Sequence, residues 1–287
     1  MFNFAWLTFF DRRSHRFAER ASKFSPLLSK LVNDGAYARA IFGSLSLFTP
    51  IIAIVLAVIS VSANNGAILT PPWQLLLAIA VLGMFDAFAG FASAIVFAIA
   101  TVVAAGHLPN IAETRLLMGI IVVAIGPALL STAFRSIRKA AALNLNSWWE
   151  RITDLAVVPF MAGWSASAMI STLPALAGLT LNVANHVNDF ALAIAAAAFV
   201  RVLIEEFAAR YYPARLNSIN PDEIADPPMF QKVIALAIKF AIWVFISTAL
   251  MGPSWQIWVG SALFLLPAVL GWFADRFPNS PTLWRFL

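Results

Sequence analysis

The chain has 287 residues, of which 61% are hydrophobic and only 11% charged, with a mean hydropathy of +0.83. A soluble domain carries about 25% charged residues to cover its core, so this composition excludes a soluble globular protein and makes lipid the solvent. The absence of cysteine excludes disulfides, thiolate metal sites and cysteine nucleophiles, and the net charge of +5 fits basic loops beside anionic lipid better than nucleic acid.

Residues 1–40 are first aromatic (Phe2, Phe4, Trp6, Phe9, Phe10) and then basic (Arg12, Arg13, Arg16, Arg20, Lys23, Lys30). Aromatic side chains suit the headgroup level and Lys/Arg suit anionic lipid, so this segment reads as a cytoplasmic, interfacial amphipathic helix broken near Pro26. Its apolar start precedes the charges, unlike a cleavable signal peptide.

About 20 helical residues cross a hydrocarbon core roughly 30 Å thick, and residues 41–274 offer a series of such runs, without the alternation of barrel strands. The first predicted crossing is Ile41–Ser62. Leu116–Phe134 is the next clean one, with a kink expected at Gly126-Pro127. Ile152–Leu179 is read as interrupted at Pro159 and Pro174, with Ala162, Gly163, Ser165 and Ser167 making a tight helix contact. Val187–Phe207 follows, and its Ala195–Ala198 run predicts a second such contact. Val233–Met251 and Gln256–Phe273 complete the set before a short cytoplasmic tail, residues 275–287.

Between the first two crossings lies Leu75–Ala105, thirty-one residues with one charge, Asp86. It is too long for one ordinary crossing and short for two. Counting Lys and Arg by side resolves it. A single crossing here gives seven transmembrane helices and splits the basic residues eight to ten, which ignores the positive-inside bias. A re-entrant helical hairpin gives six transmembrane helices and puts seventeen Lys/Arg on one side against Arg115 alone. The expected fold is therefore an all-α polytopic membrane protein with six crossings, a re-entrant hairpin at 75–105 with its tip near Asp86–Gly90, and both termini cytoplasmic. A single tilted helix is the alternative. The absence of eukaryotic sorting or lipidation signals points to a bacterial plasma membrane.

Asp86 is the first candidate for chemistry, because a charge at bilayer depth is costly and usually faces a bundle interior. Lys239, inside its own predicted crossing, is read as snorkelling to the cytoplasmic interface, with a buried pair with Asp86 as the alternative. Arg201 and Glu205 stand four apart on one helix face, as an interfacial pair or a secondary site. His186 and Asp189 form a second possible proton-handling pair. Asp154 and Asp189 are read as first-turn carboxylates that suit a helix dipole. No metal-binding, phosphate-binding or nucleophile motif is present, so no cofactor, metal or catalytic residue is assigned.

Three functions are open at this point. A non-catalytic membrane subunit or anchor of an envelope complex, with protein partners or as a homo-oligomer, accounts for the lack of motifs. A transporter or channel-like protein would use the hairpin and Asp86 for a small cation or proton-coupled solute. A membrane-embedded lipid-modifying enzyme is the third.

Overall fold

The computed structural model describes residues 31–32, 34–43, 46, 48–136, 148–178 and 181–212, with scattered positions between 230 and 262. Among these every regular element is helical. The predictions made for residues 1–30, for most of the 135–151 loop, for Lys239 and for the 275–287 tail lie outside them.

Seven helices follow in order: α1 (Ala36–Phe42), α2 (Phe48–Ala63), α3 (Trp73–Phe85), α4 (Ala87–Ala105), α5 (Ile111–Ser136), α6 (Trp148–Ala177) and, after a 3-10 turn at Asn182–His186, α7 (Val187–Tyr211). Four stretches are long and apolar enough to cross a membrane: Ala87–Ala105, Ile111–Ser131, Asp154–Ala177 and Asn182–Tyr211. Their outer faces carry large apolar side chains in the open, such as Val103, Phe160, Trp164 and Leu192. The fold is that of a helical membrane protein.

The chain divides into two compact units, one within Pro26–Ile224 and one within Ala225–Leu287. In the second, the rings of Phe240 and Trp258 lie 6.0 Å apart and tilted. All seven labelled helices belong to the first.

Two predicted segments come out broken. Ile41–Ser62 is not one helix. Gly43 ends α1 with a positive φ of 56°, and Pro50 stands in the first turn of α2, where its missing N–H costs no helical bond. Leu75–Ala105 is two helices separated by a single extended residue, Asp86 (φ −145°, ψ 98°). Phe85, Phe88 and Phe91 are poor turn residues, but a one-residue break leaves all three within helices. By contrast α5 runs on through Pro127 and α6 through Pro159 and Pro174, so these prolines do not interrupt their helices. Asp154 lies two turns inside α6, which starts at Trp148, and so is not a first-turn residue.

Contacts at helix ends give the directions. The Thr49 hydroxyl at the start of α2 reaches Asp86, and a Cβ on Gly66, just past α2, would lie 3.4 Å from Ala104 near the end of α4. Hence α2 and α4 run side by side in the same direction, and α3 runs back between their ends. α3 and α4 meet backbone to backbone at Gly83 and Gly90, and both press on the Ala124 carbonyl of α5. Small residues expected on α6 and α7 meet each other: a Cβ on Gly163 would stand 2.8 Å from the Ala191 carbonyl and 3.1 Å from the Ala195 methyl.

From Ala124, α5 continues about 18 Å to Ser136, and from Arg201, α7 continues about 15 Å to Tyr211. The break at Asp86 therefore sits inside the helix packing, well short of where the long helices end.

Candidate functional site

Breaking a helix leaves orphan carbonyls on one side and orphan N–H groups on the other, and inside a protein each must find a partner. Here charged and polar side chains supply them. On the α3 side, Arg201 Nη1 donates to the Met84 carbonyl at 2.6 Å, and the Tyr37 hydroxyl donates to the Phe85 carbonyl. On the α4 side, the Ala87 N–H donates to Asp34 Oδ2 at 2.7 Å. The N–H groups of Phe88 and Ala89 donate to Asp86 Oδ1 at 3.1 and 3.2 Å. The signs match the helix dipoles, with carboxylates at the N-terminus of α4 and a guanidinium at the C-terminus of α3.

Arg201 holds the cluster together. It is 3% exposed and uses four of its five N–H donors. Nε donates to Glu205 Oε1 at 2.7 Å, Nη1 to Asp34 Oδ2 at 3.1 Å and to Met84 O, and Nη2 to Asp34 Oδ1. The Asp34 contact is bidentate, the strong geometry for guanidinium and carboxylate. The Tyr37 ring lies 5.5 Å from Cζ. Burial pushes the Tyr37 phenol well above its usual range, so it stays a donor.

Asp34 reaches the break because Gly35 turns the chain with φ 77°, ψ 5°, a left-handed conformation that glycine adopts without penalty. The same turn brings the backbone against Asp86: a Cβ on Gly35 would stand 3.1 Å from Asp86 Cγ. The remaining oxygen of Asp86, Oδ2, lies 3.0 Å from Thr49 Oγ1, which also lies 2.8 Å from the Ser46 carbonyl.

Asparagine caps helices as well as aspartate does, whereas alanine does not. Asp86→Ala should therefore lose about 0.5–2 kcal/mol of stability through the lost cap. Asp86→Asn should stay close to wild type. Comparing the two unfolding transitions in detergent checks this.

The sequence candidates are sorted by this geometry. Asp86, Arg201 and Glu205 come together at the break. Arg201 and Glu205 do pair four apart on one helix, with Arg201 buried beneath Asp34 and the α3 carbonyl and Glu205 partly buried beside it. Lys239 lies outside the described residues; among those described, Arg201 is bonded to the break at the Met84 carbonyl and Arg39 is near enough to act on Asp86.

His186 and Asp189 sit elsewhere, at the start of α7. His186 Nδ1 is 2.9 Å from Asp189 Oδ2, and Trp73 stacks on the imidazole at 4.0 Å and 13°. They are not part of the Asp86 cluster. Since Trp73 begins α3, this stack and the Arg201–Met84 bond tie α3 to α7 at both of its ends, about 20 Å apart.

Asp34, Tyr37 and Thr49 are the members that sequence reasoning missed. The Asn33-Asp34-Gly35 turn triplet is a local signal for a chain reversal. Nothing local links it to an arginine 167 residues away. Among the described residues no three His, Asp or Glu side chains converge as a metal site.

No family model matches the chain, and neither a curated protein nor a solved structure does.

Proposed function

We propose that this chain is a membrane carrier or channel-like protein for a proton or small cation, with the helix break at Asp86 as its working site. The observation that carries the reading is the buried cluster itself. Three carboxylates (Asp34, Asp86, Glu205) gather at a break within the helix packing, and the guanidinium of Arg201 is spent on two of them. Among the described residues Arg39 is near enough to act on the charge of Asp86, so three carboxylates gather with two guanidinium groups. Ionisable groups at membrane depth face protein or water and mark ion or proton pathways, and broken helices are a recurrent way to build such sites.

In this reading α3 and α4 enter and leave on one side as a re-entrant hairpin, both termini are cytoplasmic and the membrane is the plasma membrane. The close approach of α3 and α4 at Gly83 and Gly90 supports the hairpin, because irregular backbone at depth must be enclosed by protein. The test is reconstitution in liposomes under an imposed proton or cation gradient. Wild type should carry flux, and Asp86→Asn should abolish it while unfolding like wild type. Equal flux in both proteins would end the proposal.

One observation favours a second reading, a non-catalytic membrane subunit. The break is so fully bonded that it resembles a fixed joint. A subunit would co-purify with partner proteins in fixed ratio from mild detergent, and would carry no flux in liposomes.

A further inference from the structure

Most buried serines here bond back to their own helix. Ser60 donates to the Leu56 carbonyl at 2.7 Å, Ser131 to Ala128 at 3.1 Å and Ser165 to Ala162 at 2.9 Å. Two buried hydroxyls of α4 do not. Ser93 Oγ and Thr101 Oγ1 are both in residues 0% exposed, and neither has a hydrogen-bond partner. The helix offers each of them carbonyls three and four residues back, so both side chains are turned off their own backbone. A buried hydroxyl without a partner carries a desolvation penalty that native proteins seldom leave uncompensated.

The two hydroxyls lie in line with the site already described. Asp86 caps α4, Ser93 follows after about two turns and Thr101 after about two more, so all three fall on one face. The rises between them are about 10 and 12 Å, too far for direct contact and within the span of a few waters, but Gly90, on the same face between Asp86 and Ser93, is pressed on Gly83 and the Ala124 carbonyl in the conformation seen. Midway between the hydroxyls, four residues from each, stands Phe97, also 0% exposed.

We propose that this face of α4 lines a water-bearing route from the Asp86 break toward the Gly106 end of the helix, that its cargo is the proton, and that the Gly83–Gly90 contact and Phe97 both close it in the conformation seen. The proposal rests on the carrier reading above and narrows it. A bare cation needs several ligands converging on one point. The hydroxyls are two turns apart, and four of the six oxygens of Asp34, Asp86 and Glu205 accept hydrogen bonds from Arg201, Ala87 or the first turn of α4, while a fifth, Asp86 Oδ2, lies 3.0 Å from the Thr49 hydroxyl. A proton needs only a chain of donors and acceptors. An aromatic side chain across such a chain gates it by keeping water out. The charged and titratable groups at the inner mouth are Asp34, Tyr37, Arg39, Asp86, Arg201 and Glu205.

The chain has no cysteine, so single cysteines report without background. In the full-length protein in liposomes, Ser93→Cys and Thr101→Cys should react with a small, charged, membrane-impermeant methanethiosulfonate supplied on both sides. Ala94→Cys, equally buried but packed among apolar side chains, should stay unmodified. Absence of labelling at 93 and 101 in protein that melts like wild type would overturn the route. Phe97→Ala should raise proton flux, read with an entrapped pH dye, and Asp86→Asn added to it should silence that flux. Labelling at both positions without proton flux from wild type or Phe97→Ala would uphold the wet route and overturn the proton as its cargo, along with the carrier reading. Should Phe97→Ala fail to fold, the two cysteine variants still decide, because Ser93→Cys exchanges one atom and Thr101→Cys removes only a methyl group besides.

Discussion

Arg201→Gln should be the most damaging single substitution described here, costing about 3–5 kcal/mol, the usual effect of stranding the partners of a buried ion pair. The glutamine amide has two N–H donors where the guanidinium uses four. Asp34 and Glu205 would lose the guanidinium that faces them both, and the Met84 carbonyl at the end of α3 would lose its donor. Arg201→Lys should recover only part of the loss, because an ammonium cannot serve the fork of Asp34 and the Met84 carbonyl together. Equilibrium unfolding in mixed micelles measures both. The double variant Asp34→Asn with Arg201→Gln should lose less than the sum of the single losses, since each removes the other's stranded charge. Additive losses would mean that the two side chains do not act as a pair.

The second large effect is expected at Gly83. A methyl group there would run into the Ala124 carbonyl oxygen, and one on Gly90 would run into the Gly83 backbone. Neither obstacle is a flexible side-chain end, so helices must move apart. Overpacking of this kind costs about 1–3 kcal/mol. Gly83→Ala should show it as a lower melting temperature. It should also weaken the joint at Asp86, because α3 and α5 would separate beside it. Gly260→Ala is the matched control. Nothing lies within 4 Å of a Cβ at that position, and alanine is the better helix former. Its melting temperature should be unchanged or slightly higher.

Both predictions concern contacts between residues distant in the chain. That is where the sequence was least legible. The spacing of Arg201 and Glu205 announces their pairing, because a helix brings residues four apart together whatever surrounds it. It says nothing of burial, which depends on Asp34 arriving from the other end of the unit. Likewise Gly83 and Gly90 mark a place of close approach on either side of Asp86, but only packing shows that the approach is glycine to glycine with the Ala124 carbonyl between α3, α4 and α5. The single-residue break was hidden for another reason. Turn signals in sequence come from glycine, proline and asparagine, whereas an aspartate that caps the next helix needs none of them. The first predicted crossing was drawn too long because an apolar run reads as continuous, although Gly43 and Pro50 divide it.

By itself, then, the sequence determined that this is a helical membrane protein, where its long apolar helices run, and that Asp86 is the anomaly among them. Composition and 3.6-residue periodicity are local properties and survive without knowledge of neighbours. The tertiary structure alone decided that the break is the single residue Asp86, that Asp34, Tyr37 and Arg201 bond its orphan carbonyls and N–H groups, and that Ser93 and Thr101 are buried with nothing to bond among the described residues. The reason is the cost of an unmet polar group in a low-dielectric interior. The chain must satisfy that cost with whatever side chain the packing brings near, and packing is not written in any single stretch.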